Sequence, residues 1–302
     1  MEIGMIGLGK MGANMTTRLI ADGHRVVAFD LDEEAVHHAA VGGADGANSL
    51  GEVLEKLSAP RAIWVMVPAG KPTESTINTL SERLSPGDVI LDGGNSNYKD
   101  SQRRAEELKK YEIDFIDVGT SGGIWGLSEG YSMMVGGEAD VIERLRPIFE
   151  TLAPAADQGW GHVGPAGAGH FVKMVHNGIE YGLMQAYAEG FELLEAKREF
   201  SLDLPQIAEI WRYGSVVRSW LLDLTAAALK DNPTMDGIAA YVPDSGEGRW
   251  TVMEGIDLDL SIPIITLSLQ RRFRSREEAP FGDKLLSAMR NQFGGHAIKK
   301  AE

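Results

Sequence analysis

The segment Gly7-Leu-Gly9-Lys-Met-Gly12 constrains this chain's fold more than any other feature. It joins an apolar run, residues 2–7 (EIGMIG), to a helical pattern over 10–22. The first glycine permits the tight turn between strand and helix. The second lets backbone approach a pyrophosphate, and the third lets helix and strand pack closely. Free N–H groups and the positive dipole end at the helix start, around Lys10 and Met11, then attract phosphate. The next apolar run, 25–30 (RVVAFD), ends in an acidic residue, Asp30. With that context the glycines read as a dinucleotide-binding turn, with Gly7, Leu8, Gly9, Lys10, Met11, Gly12 and Asp30 at the cofactor. A carboxylate at position 30 accepts hydrogen bonds from ribose hydroxyls and repels a 2′-phosphate. Neither Leu31 nor Asp32 supplies an arginine to offset that repulsion, so NAD is expected in preference to NADP.

Four more short apolar runs follow, at 62–67, 88–92, 114–118 and 131–136, with helical patterns at 71–84 and 99–110 among them. Strands alternating with helices imply a mainly parallel sheet covered on both faces. Two small, polar, glycine-rich loops come after strands: Asp92-Gly-Gly-Asn-Ser96 and Gly119-Thr-Ser-Gly-Gly-Ile124. In open α/β sheets ligands bind beyond the carboxyl ends of the strands, which is where such loops gather.

From Gly164-Pro-Ala-Gly-Ala-Gly169 onward the texture changes to helix, over about 168–198, 204–213, 216–230, 248–256, 262–277 and 281–293. The expected architecture is an α/β Rossmann-type dinucleotide-binding domain, 1–166, followed by an all-α domain, 167–302, for substrate binding and dimerisation. The first of those helices holds HFVKMVHNGIEYG, in which Lys173, His176, Asn177 and Glu180 fall at i, i+3, i+4 and i+7. That spacing places them on one helix face. Such a row is either the solvated side of an amphipathic helix, with Phe171, Val172, Met174, Val175 and Ile179 in the core, or a reactive row facing a cleft.

A formal charge of −15 argues against nucleic-acid binding, which needs a basic surface. The absence of cysteine removes disulfides and thiolate metal sites. No apolar run reaches membrane-spanning length and no basic leader precedes the first strand, so a cytoplasmic enzyme is the expectation. The last stretch, 249–302, is locally basic, which suits an anionic small molecule.

Taken together, GLGKMG, DGGNS, TSGG, GAGHFVKMVHNGIEYG, EGRWT at 247–251, Arg272 and RNQFGGH at 290–296 closely resemble the 6-phosphogluconate dehydrogenases. The resemblance runs from residue 7 to 296 and looks like the short form of that family. It implies oxidative decarboxylation of 6-phosphogluconate to ribulose 5-phosphate, with Lys173 as general base and Glu180 as general acid. It further implies substrate contacts from Asn95, Ser121, Gly122, Gly123, His176 and Asn177. Tyr181, Arg249, Arg272, Arg290 and His296 match the pocket for the substrate's phosphate end. Val67-Pro68-Ala69 and Asn95 match cofactor-contacting positions. The match also implies at least a homodimer, with the tail residues Arg290 and His296 reaching a neighbouring subunit's site. Arg249 stands where many longer members have lysine, and Asp30 where NADP-using members have a neutral residue followed by arginine.

The chemistry accounts for these residue types. A lysine made neutral by partial burial can take the hydroxyl proton as hydride leaves. The resulting 3-keto group lies β to the carboxylate and accepts the electrons released with CO₂, so no metal is called for. A protonated Glu180 can then deliver a proton to carbon 1. Its i+7 separation from Lys173 is too long for an ordinary helix ion pair. Two rivals remain. Another β-hydroxyacid dehydrogenase, such as one acting on 3-hydroxyisobutyrate, would have no use for clustered arginines. A non-catalytic NAD-binding protein would need neither Lys173 nor Glu180.

Overall fold

The computed structural model describes residues 1–294 and 297–299. Alternation along the early strands decides the layering. Ile3, Met5, Ala62, Trp64, Val89 and Leu91 enter one buried cluster, while Ile6, Ile63, Val65 and Ile90 enter a second. Successive side chains leave a strand on opposite faces, so these runs serve two cores at once and need helices on both sides.

In chain order the elements are β1 (Glu2–Ile6), α1 (Lys10–Ala21), β2 (Arg25–Phe29), α2 (Glu33–Val41), β3 (Asp45–Gly46), α3 (Leu50–Lys56), β4 (Ala62–Val65) and α4 (Lys71–Ser81). Next come β5 (Val89–Asp92), α5 (Tyr98–Lys109), β6 (Asp114–Ser121), α6 (Gly126–Glu129), β7 (Ser132–Gly136), α7 (Ala139–Leu152) and β8 (Trp160–Gly164). The strands form one sheet in the order β3-β2-β1-β4-β5-β6-β7-β8, parallel throughout except where β7 runs against β6. The order reverses between β1 and β4, the crevice at which such sheets bind ligands. The expected Rossmann-type sheet is therefore present, with two strands more than the apolar runs suggested. β3 has only two residues, and β8 (Trp-Gly-His-Val-Gly) is largely uncovered, so neither carries a buried apolar pattern.

Beyond residue 164 the described residues hold helices without strands: α8 (Ala168–Ala196), α9 (Leu204–Arg212), α10 (Trp220–Asp231), α11 (Glu247–Asp257), α12 (Pro263–Arg274) and α13 (Phe281–Gly294). α10 starts four residues later than the pattern suggested, because the Ser219 hydroxyl accepts the Leu222 N–H and caps it there. The chain divides into two compact units, Met1–His176 and Asn177–Glu302, and α8 contributes to each. The second unit has its own small core of Phe191, Ala208, Leu222, Ala226 and Leu229.

The first turns of α8 sit directly on β6 and β7. Asp117 and Gly119 are two apart on β6 and share a face. The fully buried Asp117 carboxylate accepts the Gly167 N–H at 2.6 Å and the His170 N–H at 2.7 Å, capping α8 from a different element. Its charge complements the positive end of the helix. Glycines make the approach possible. A Cβ on Gly169 would stand 2.4 Å from the Asp117 carbonyl oxygen and 2.5 Å from that of Met134, and one on Gly119 would stand 2.4 Å from the Lys173 Cβ. Gly169→Ala therefore forces backbone apart and is expected to destabilise the fold by about 1–3 kcal/mol. Urea unfolding of the two proteins measures this, and an unchanged midpoint would contradict the contact.

Candidate active site

The nucleotide turn has the shape a pyrophosphate needs. Gly7 has φ +94°, and a Cβ there would lie 2.4 Å from the Met66 carbonyl oxygen. A Cβ on Gly12 would come within 2.0 Å of the Gly7 carbonyl oxygen. Above Gly9, in contrast, nothing stands within 4 Å, so open space lies over the backbone at the start of α1. The residues present thus fit a dinucleotide. Leu8 is buried in the core and Met11 packs against it, which leaves their backbone rather than their side chains to face a ligand. Lys10 is exposed. Asp30, at the end of β2, accepts the Leu8 N–H at 2.5 Å and the Asp32 N–H at 2.9 Å. Leu31 beside it is 93% exposed. After β4, Val67 packs on the core while Pro68 and Ala69 are exposed, and the buried Thr73 hydroxyl donates to the Pro68 carbonyl.

The loop after β5 is set from below. The fully buried Asp92 carboxylate accepts from the Arg104 guanidinium at 3.0 Å, from the Ser96 hydroxyl at 2.7 Å and from the Gly94 N–H at 3.1 Å. Arg104, itself 2% exposed, also donates to Glu74 at 3.0 Å. An ion pair buried this deeply holds only when its hydrogen bonds are satisfied, as they are here. Asn95, between the anchored Gly94 and Ser96, is left exposed at the loop's tip.

β6 ends at Ser121 and turns through Gly122 (φ +134°) and Gly123 (φ +51°), conformations that favour glycine. The Ser121 hydroxyl lies 3.5 Å from His176 Nε2, and His176 Nδ1 lies 3.5 Å from Lys173 Nζ. The structure thus gathers Ser121, Lys173 and His176 at the carboxyl end of β6. These are long contacts, of the kind that tighten when a substrate arrives.

Burial along α8 decides between the two readings of its polar row. Lys173 is 8% and Asn177 9% exposed, whereas Val172 is 37% and Ile179 53% exposed. The polar face is turned inward, and two residues expected in the core are uncovered. A solvated stripe would have the opposite pattern. Glu180, one turn beyond His176, is half-buried.

In the second unit, Tyr181 is buried, its hydroxyl accepts the Ser245 N–H at 3.3 Å, and a Cβ on Gly248 would lie 2.4 Å from its ring. The Arg272 guanidinium lies 3.6 Å from the Tyr181 ring centre and donates to the Pro243 carbonyl at 2.9 Å. Arg249 donates through Nε and Nη2 to Asp244 at 2.8 and 3.1 Å. Arg276 donates to the same carboxylate at 2.5 Å and to the Val242 carbonyl at 3.2 Å. Arg249 chiefly, against the cost of burial and with help from Arg276, pulls the Asp244 carboxyl down to about 2. The stability that this pairing adds is complete above the ordinary value of 3.8 and is lost as pH falls through about 2, so Asp244 is ionised at neutral pH. Arg290 lies exposed on α13, and His296 falls outside the described residues. Asp92, Arg104, Asp117 and Asp244 support the expected site residues and were not singled out for that role. An acidic residue inside an apolar strand, as at Asp92 and Asp117, was the available signal.

The family model described as the NAD binding domain of 6-phosphogluconate dehydrogenase matches residues 2–161. The one described as the 6-phosphogluconate dehydrogenase C-terminal domain matches 169–281. An NAD(+)-dependent, decarboxylating 6-phosphogluconate dehydrogenase of Haloferax volcanii is 43% identical over 303 residues, covering all of both chains. One from Bacillus subtilis, also named as NAD(+)-dependent and decarboxylating, is 39% identical over 91% of this chain and 61% of its own length. A solved Plasmodium falciparum 6-phosphogluconate dehydrogenase, studied with NADP+ and with 6-phosphogluconate, superposes with TM-score 0.83 at 27% identity. That match covers all of this chain and 66% of the longer one. Glycine turn, inward-facing lysine row and full-length relatives agree: the chain belongs to the 6-phosphogluconate dehydrogenase family.

Proposed function

We propose that this protein oxidises 6-phosphogluconate at carbon 3 and releases CO₂ to give ribulose 5-phosphate, using NAD. The observation that carries the reading is the inward-turned lysine row, with Lys173 8% exposed and in reach of His176. The full-length Haloferax relative, named as NAD(+)-dependent, supports the cofactor. The turn Gly7–Gly12 would hold a nicotinamide dinucleotide, which would supply the acceptor for the hydride of carbon 3. Lys173 takes the hydroxyl proton, and burial keeps bulk water from competing for that role. Once protonated, the lysine donates to the 3-keto oxygen, which draws electrons from the breaking bond to the carboxylate. Glu180 returns a proton to carbon 1 of the enediol. His176 and Asn177 orient the substrate from the same helix, with Ser121, Gly122, Gly123 and Asn95 supplying short polar contacts. Tyr181, Arg249 and Arg272, with Arg290 and His296, hold its phosphate end.

In this reading residues 1–166 bind the nucleotide and 167–302 bind substrate and a second copy. The uncovered apolar side chains of the second unit support a homo-oligomer, among them Val216 (100% exposed), Ile264 (67%) and Phe281 (77%). The family relation supports a role in the cytoplasm, and no described helix is long and apolar enough to cross a membrane.

Three measurements test the proposal. Supplying 6-phosphogluconate with each nicotinamide cofactor, while recording reduction and gas release, should show coupled CO₂ formation and a higher kcat/KM with NAD. Reduction without CO₂ would point to another β-hydroxyacid dehydrogenase, and no reduction to a binding protein. Lys173→Ala should lower turnover by about 10²–10⁴-fold or more while NAD affinity holds. Undiminished turnover would remove Lys173 as the base. Arg272→Ala should raise the KM for substrate about ten- to hundredfold, the worth of a charge-assisted hydrogen bond, with little change in NAD binding. A KM equal to that of the parent enzyme would take Arg272 out of the pocket.

A further inference from the structure

Three guanidinium groups converge on one short segment, 242–245, in the second unit. Arg276 and Arg272 donate to the neighbouring carbonyls of Val242 and Pro243, and Arg249 and Arg276 share the Asp244 carboxylate. The Asp244 side chain is 4% exposed and that of Arg276 26%. The Phe273 ring lies beneath both of Asp244's partners, 4.3 Å from the Arg249 guanidinium carbon and 5.6 Å from that of Arg276. Among the described residues, Asp244 is the one carboxylate paired with any of the three. Three guanidinium groups thus gather around one paired carboxylate, with Glu247 on the Ser245 hydroxyl as a second carboxylate at the segment, in a chain whose formal charge is −15.

A phosphate monoester carries roughly −1.5 to −2 at pH 7, and a cluster in which guanidinium groups outnumber carboxylates attracts it. The geometry matches as well. Arg249 meets Asp244 side-on through Nε and Nη2, and Arg276 uses Nε and Nη2 on Val242 and Asp244, so among the described residues Nη1 of each fork is left for another acceptor. Planar forks fixed in advance recognise phosphate better than flexible cations, because less freedom is lost on binding.

We propose that Arg276 is a further arm of the substrate-phosphate site and that Asp244 is a positioning residue holding the forks of Arg249 and Arg276 toward that phosphate. This inference rests on the 6-phosphogluconate reading above and adds two residues to it. Asp244 repels phosphate less than a free carboxylate would, since both its oxygens already accept from arginine.

The test pairs kinetics with a binding measurement that needs no turnover. In the full-length protein, Arg276→Met should raise the KM for 6-phosphogluconate about tenfold or more, far beyond any fall in kcat, with KM for NAD unmoved. Inorganic phosphate should raise the melting temperature of the parent protein, and Arg276→Met should reduce that protection. Arg276→Lys, which keeps the charge and loses the fork, should fall between. Asp244→Asn should also raise the substrate KM, and Asp244→Glu should recover part of the loss. An unchanged substrate KM and unchanged phosphate protection in Arg276→Met would overturn the proposal, leaving Arg276 as a strut for the 242–245 segment. Equal damage to kcat and to both KM values in Asp244→Asn, without recovery in Asp244→Glu, would overturn the positioning role. A parent protein that is protected by phosphate yet does not turn over 6-phosphogluconate would defeat the activity reading and leave the anion site standing.

Discussion

The contact between the start of α8 and the strand β6 governs where Lys173, the proposed base, can be. Asp117 accepts two N–H groups of the first turn, and Gly119, Gly136 and Gly169 remove the side chains that would otherwise hold helix and sheet apart. A strand and a helix this close have almost no freedom to slide, because the nearest atoms are backbone. The consequence reaches the site within one turn of helix: Lys173 lies over Gly119, and Gly119 is two residues before Ser121. Lysine and serine turn are thereby registered by the same strand.

Charge is handled differently in the two units. In the first, Asp92 and Arg104 are both nearly inaccessible, and their mutual bonds settle the loop that carries Asn95. Leaving either partner alone would strand a charge in the interior, which costs several kcal/mol. In the second, Arg249 and Arg276 are partly open to solvent while the carboxylate between them is covered. The first arrangement locks a loop; the second keeps cationic groups oriented at a partly open surface.

Much of this was legible in the sequence because it is local. The glycine turn, its strand and helix, Asp30 and the four-residue row on α8 are each defined by spacing within a single element or a neighbouring pair. What escaped is what depends on distant partners. Asp117 meets residues 50 and 53 positions away, and Asp244 meets Arg276 at 32. Nor does periodicity say which side of an amphipathic helix faces inward. Val172 and Ile179 have the chemistry of a core and are uncovered, while Lys173 and Asn177 are buried. β8 escaped for a related reason, as two glycines and a histidine in five residues, none of them buried, carry no apolar signature.

The Asp30 carboxylate has a wider implication for attempts to redesign coenzyme choice. Besides its proposed part in reading the ribose, it ties the glycine turn to α2 through the Leu8 and Asp32 amides. Replacing it with a small neutral residue to admit an extra phosphate would strip both amides of their acceptor and loosen the turn at the same time. Reprogramming of the coenzyme is thus coupled to rigidity here. A redesign that succeeds must supply a new acceptor for those amides as well as a cation for the phosphate.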